Sequence, residues 1–182
     1  MRFHDLARLY TRRGFLGVAI SATWALVTAA RARSEFIRYD ARARRVDLTV
    51  IAGFDKSNSG YNFNGGSHGG HRITVPTGWR MCLTFVNRDV IRHSVVVIHE
   101  QTPVPLRISR PSLSGAASRA FERGQLTGAR QDDIVFAANR PGTYLIASGV
   151  PGDAALGTYL RLTVSSDATA PTYEVIAVST TC

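Results

Sequence analysis

Two stretches of this 182-residue chain carry the side chains best suited to chemistry. In NGGSHGGHR, residues 64–72, His68 and His71 stand three apart. Imidazole suits Cu(II), Ni and Zn, and the surrounding glycines would let both rings turn to one ion. Two imidazoles make only half of a tetrahedral site. His99, Asp55 or solvent would have to supply the next donor, so the preferred reading is a glycine-rich surface loop without metal. In GTYLIASGVPGDAALGTYL, residues 142–160, a Gly/Pro loop with the shape of a metal-binding loop joins two apolar runs. It spaces Ser148, Asp153 and Thr158 five apart. Ser148 precedes a glycine, but IASGVPG is not a nucleophile elbow, and no His–carboxylate base is assignable to it. The chain is therefore not expected to be an enzyme.

Strands are the elements that must position these groups. Short runs rich in Val, Ile, Thr, Phe and Tyr, cut by Gly, Pro, Asn and Asp, predict strands over 46–52, 60–64, 72–76, 80–87, 93–99, 133–138, 142–148 and 158–165. In RMCLTFVN, Met81, Leu83 and Phe85 alternate with Cys82, Thr84 and Val86. Both faces are apolar enough for a strand inside a sandwich. No long stretch has helical periodicity, although GAASRAFERG at 115–124 predicts a short surface helix. Residues 101–130, with three prolines, read as a long Greek-key connection. Residues 172–179 read either as an added edge strand or as a tail. The expected fold is all-β, a Greek-key antiparallel β-sandwich.

Separate motifs then occur in a familiar order: YNFNGG at 61–66, ITVPTGWRMCLTFVNRD at 73–89, RHSVVVIHE at 92–100 and the 142–166 stretch. Over roughly residues 46–165 the chain resembles the cupredoxins and, more narrowly, the sulfocyanin family. The resemblance implies a copper electron carrier of a respiratory chain. It implies a first His ligand, then a Cys-x4-His-x4-Met loop between the last two strands. Two imidazoles, a soft thiolate and a weak axial thioether make a blue-copper site. Carried over by position, the first His is His93, the Cys position is Ser148, the second His is Asp153 and the Met is Thr158. The spacing is kept and three of four donors are replaced. A neutral hydroxyl, a hard carboxylate and a second hydroxyl do not make a blue site. His93 and Asp153 would form either half of a weak oxygen-rich site or a metal-free His–carboxylate pair. The second is preferred, so no cofactor is expected, with copper as the alternative. Gly149, Val150, Pro151, Gly152 and Gly157 set the loop's path whether or not metal is present.

The first residues bear on location. Thr11-Arg12-Arg13-Gly14-Phe15-Leu16 resembles a twin-arginine motif. It precedes an uncharged run, Gly14 to Ala30, and an Ala-Arg-Ala cleavage pattern ending at Ala32. The reading is a twin-arginine signal peptide over 1–32, a basic linker over 33–45, the cupredoxin-like domain over 46–165 and an extension over 166–182. Export to the periplasm or another extracytoplasmic space follows, with membrane attachment only if the signal stays uncleaved. Of the formal net charge of +9, +4 falls in residues 1–32, and no basic–aromatic module for nucleic acid is present. The expected partner is a periplasmic or membrane-associated protein, and nucleic acid is not expected. Cys82 reads as a small buried strand residue, while Cys82 and terminal Cys182 could pair in an oxidising compartment.

Overall fold

Alternation of β-branched and aromatic residues with polar ones produces nine strands in the computed structural model, which describes residues 35–128 and 131–176. The signal segment 1–32 and Cys182 lie outside these residues, and with Cys182 the question of a disulfide. The strands are β1 (Ile37–Asp40), β2 (Arg45–Ala52), β3 (His71–Pro76), β4 (Trp79–Asn87), β5 (Val96–His99), β6 (Asp132–Ala138), β7 (Gly142–Ala147), β8 (Tyr159–Ser165) and β9 (Thr172–Val175). One sheet has the order β1-β2-β4-β6 and the other β5-β7-β8-β3-β9. The sandwich expected from sequence is present. Its sheets are mixed rather than purely antiparallel, because β2 pairs with β4, and β3 with β8, in parallel. Each pairing joins strands linked by a crossover, not by a hairpin.

The core fills the space between the sheets. Leu48, Met81, Leu83 and Phe85 from the first sheet face Ile73, Tyr144, Ile146, Leu160 and Leu162 from the second, all buried. In β4 the alternation is as expected. Its inner residues are buried, while Cys82, Thr84 and Val86 are half-buried on the outer face. Cys82 is therefore not a core residue; Asp47 and Val135 flank it across the ladder.

Several local expectations are corrected. The stretch 60–64 is not a strand. Gly60, Gly65, Asn58, Ser59 and Asn64 all take positive φ, which extended backbone does not allow. It still completes the sheet. β1 covers only Arg45–Leu48 of β2, and beyond it Phe63 bridges Ala52. There Asn64 Oδ1 also accepts from Ile51 N (2.7 Å) and its Nδ2 donates to Thr49 O (2.9 Å). β5 starts at Val96 rather than 93; His93 instead bridges Gln125. No helix forms over 115–124. Gly115 and Ala120 take positive φ, and Ala117 bridges Val96, so the segment is a series of turns. Residues 37–40, inside the expected linker, form β1. Of the two readings of 172–179, residues 172–175 form edge strand β9, which pairs antiparallel with β3.

The described part of the long crossover, residues 101–128, covers the outer face of β5 and β7. Ile108, with Val104, Ala117 and Phe121, packs on Val96, Ile98, Leu145 and Ala147. It also reaches the 148–158 loop, where Gly152 N donates to Leu106 O at 2.8 Å. A side chain at Gly149 would run into the Phe121 ring at 2.4 Å, so glycine is required for this approach.

Candidate functional site at the His93 end

The loop from Ser148 to Thr158 is shaped by its own backbone. Ser148 N donates to Thr158 O, Asp153 N to Val150 O and Thr158 N to Asp153 O, at 3.0–3.1 Å. These bonds need none of the side chains at 148, 153 and 158. The loop bends those side chains into the sandwich end, and Ser148 and Thr158 are fully buried. Ser148 and Thr158 directly extend the antiparallel Ala147–Tyr159 pairing, which places them side by side.

His93 is completely buried and lies at the centre. Its Nδ1 is 2.7 Å from Asp153 Oδ2. Ser148 Oγ donates to the same carboxylate oxygen at 2.7 Å. On the other side of the ring, Nε2 is 3.2 Å from Asp89 Oδ2. Tyr61 meets the imidazole edge-on, with ring centroids 6.0 Å apart. The result is one chain of contacts, Ser148–Asp153–His93–Asp89, running from the interior toward the surface. Burial opposes charge on His93, but the hydrogen bonds and charges of Asp153 and Asp89 outweigh it and hold its pKa above 6.5.

Asp89 is the member that sequence reasoning missed. It follows β4 in the turn after Asn87, whose side chain accepts from Asp89 N at 2.9 Å. Asn87 also donates to Ile91 O and Gln125 O, fixing the turn that leads into His93. Gly53 and Gly60 make the slot for the carboxylate. A Cβ at Gly53 would lie 2.6 Å from Asp89 Cβ, and one at Gly60 would lie 2.7 Å from Asp89 Oδ2. The available signal was an Asp four residues before a His, next to a sequence-distant pair of glycines. Only the fold brings these together.

Ser148, Asp153 and His93 are not a hydrolytic arrangement. The carboxylate stands between hydroxyl and imidazole, whereas a serine nucleophile needs the imidazole on its hydroxyl. Thr158 Oγ1 is buried without a hydrogen-bond partner.

His68 and His71 do not share a set of neighbours. His68 is exposed, lies against Gly157 and faces the Tyr159 ring edge-on at 6.4 Å. His71 Nδ1 is 2.9 Å from the Tyr173 hydroxyl. Burial lowers the His71 pKa, with nearby Asp55 opposing. It also pushes that of Tyr173 up to about 12. Asn64 Nδ2 donates to the Tyr173 oxygen at 3.2 Å, which leaves the hydroxyl proton for His71. Because Asn64 also holds β2, this network ties the two sheets together. His99 stacks on Tyr144 at 4.7 Å and supplies neither histidine with a partner. Among the described residues, no group of three His, Cys, Asp or Glu side chains is arranged to hold a metal ion.

A sandwich of these two mixed sheets, with a His and a two-strand loop converging at one end, defines a cupredoxin. The family model described as the sulfocyanin (SoxE) domain matches residues 32–176, and the chain belongs to that family. Sulfocyanin of Sulfolobus acidocaldarius is 28% identical over 147 residues, covering 76% of this chain and 72% of the relative. A 2.1 Å structure of the copper protein rusticyanin superposes with TM-score 0.51 at 15% identity, covering 77% of this chain and 94% of that one. Reduced rusticyanin gives TM-score 0.50 at 14% identity, over 80% and 96%. These structural likenesses bear on the fold alone.

Copper is the metal this family implies, and the donor set does not fit it. The three positions that would bring sulfur and a second imidazole hold oxygen side chains. Both nitrogens of the remaining imidazole are engaged by carboxylates. A type 1 site depends on thiolate softness for its stability in both oxidation states. Among the described residues, none at this end supplies it.

Proposed function

We propose that this chain is an exported, metal-free cupredoxin module that serves as a binding or accessory protein rather than as an electron carrier. One observation carries the reading: carboxylates engage both ring nitrogens of His93, where the family would place a metal on one. In this reading a proton supplies the positive charge that copper would supply. It holds the 88–92 turn to the 148–158 loop through two charge-assisted hydrogen bonds. The twin-arginine-like motif supports export to a periplasmic or comparable space. That location supports a partner that is itself periplasmic or membrane-associated.

The test is metal content and visible absorption of protein produced and exported in copper-supplemented cells, then loaded again with Cu(II). The expected result is substoichiometric copper and no intense thiolate-to-copper band. Copper at one equivalent that survives dialysis and is lost in His93→Ala would end the metal-free reading.

A further inference from the structure

The end of the sandwich opposite His93 carries exposed arginines, two of which, Arg44 and Arg80, line a groove. β2 and β4 both begin there, next to the turns at 41–44, 77–78 and 139–141. Arg42, Arg44, Arg80 and Arg140 are all exposed at this end. Among the described residues none of the four forms a salt bridge, whereas neighbouring Arg45 is paired with Asp47 at 2.9 Å. Arg45 and Arg80 are direct partners across the parallel β2–β4 ladder, on its outer face. Arg44 takes φ +49, an uncommon conformation for arginine, and its carbonyl accepts from Arg80 N at 2.9 Å.

The groove between these residues has a volume of about 590 Å³. Arg44 and Arg80 line it with Gly78 and Ser114, and Val135 and Ala137 add apolar surface. Val135 is 56% exposed. A pair of guanidiniums beside an exposed aliphatic strip is complementary to carboxylates interleaved with small apolar side chains. Guanidinium takes carboxylate in a two-pronged geometry that an ammonium cannot reproduce.

We propose that this groove is a docking site for an acidic, extended segment of a partner protein, with Arg44 and Arg80 binding its carboxylates and Val135 its apolar side chains. The proposal deepens the reading of the chain as a binding module, but does not depend on the absence of copper. It places the partner at the end away from His93, so both ends are free to act separately.

The experiment titrates the full chain into a fluorescein-labelled peptide of alternating Glu and Val, read by anisotropy. Parallel arms use inorganic phosphate and vesicles containing an anionic phospholipid. Expected are saturable peptide binding, weakening with salt, and a loss of at least about tenfold in Arg44→Asn/Arg80→Gln. Arg80→Lys recovers only part of that loss, and Arg92→Gln, near the His93 end, changes nothing. Urea midpoints of the variants establish that they remain folded. The proposal is overturned if the peptide does not bind, or if the double variant binds it as well as the parent does. It is also overturned if phosphate or vesicles bind through the same two arginines and the peptide does not. Copper content of the same samples reports on the metal-free reading independently, so either can fail alone.

Discussion

At the residue scale, His93 is the group on which the candidate site turns. Its pKa is raised in the folded state, so folding is favoured by a proton bound there. That contribution is complete below the unfolded value of 6.5 and is lost as pH rises through the folded value. We expect the urea midpoint to fall between about pH 6 and pH 9. His71 works in the opposite sense. Its lowered pKa costs stability as pH falls, so the alkaline loss belongs to His93. His93→Gln should flatten the alkaline limb, and Asp89→Asn should move it to lower pH at a cost of about 1–3 kcal/mol. A midpoint that rises across this interval would falsify the assignment. The sequence made His93, Ser148, Asp153 and Thr158 legible through their spacing and order. It hid Asp89, because the glycines that admit its carboxylate lie 36 and 29 positions earlier in the chain.

At the element scale, the segment 60–64 shows why alternation can mislead. Tyr61 and Phe63 alternate with asparagines as a strand would, yet the asparagine side chains bond to backbone, Asn64 to that of β2 and Asn62 to that of the loop after it. Asn62 caps Phe54 N and Gly65 N through its side-chain oxygen, at 3.2 Å each. Asn64 performs the same service further along and holds Tyr173 as well. Side-chain amides that bond locally compete with a regular ladder, and positive φ at Asn64 completes the break. Asn64→Ala should strand Ile51 N and Thr49 O and lower stability by about 1–3 kcal/mol in chemical denaturation. If the variant is as stable as the parent, the clip between the sheets has no energetic weight. The strands themselves were read well from sequence, because burial on one face writes a period of two. The parallel pairings were not, since a strand's pattern does not record the direction of its neighbour.

At the scale of the whole molecule, the frame of the cupredoxin end stands on contacts that involve no ligand. The 148–158 loop is closed by backbone bonds, Gly149 lies under Phe121 and Gly152 is tied to Leu106. Such a frame should accept the chemistry back. Ser148→Cys/Asp153→His/Thr158→Met is expected to bind one copper and to develop an intense visible thiolate band. A folded triple variant that stays colourless with Cu(II) would show that the loop has drifted from the geometry a metal needs.

The position of β3 has a consequence for how this chain comes into being. Both strands beside it, β8 and β9, follow every other described strand in chain order. While the ribosome is still short of Tyr159, β3 has no neighbour on either edge, and Ile73 and Val75 lack the sheet that will enclose them. The second sheet is thus sealed from its carboxyl-terminal side, late and together. A nascent chain released early would present two bare edges to its surroundings, the surface on which polypeptides most readily aggregate.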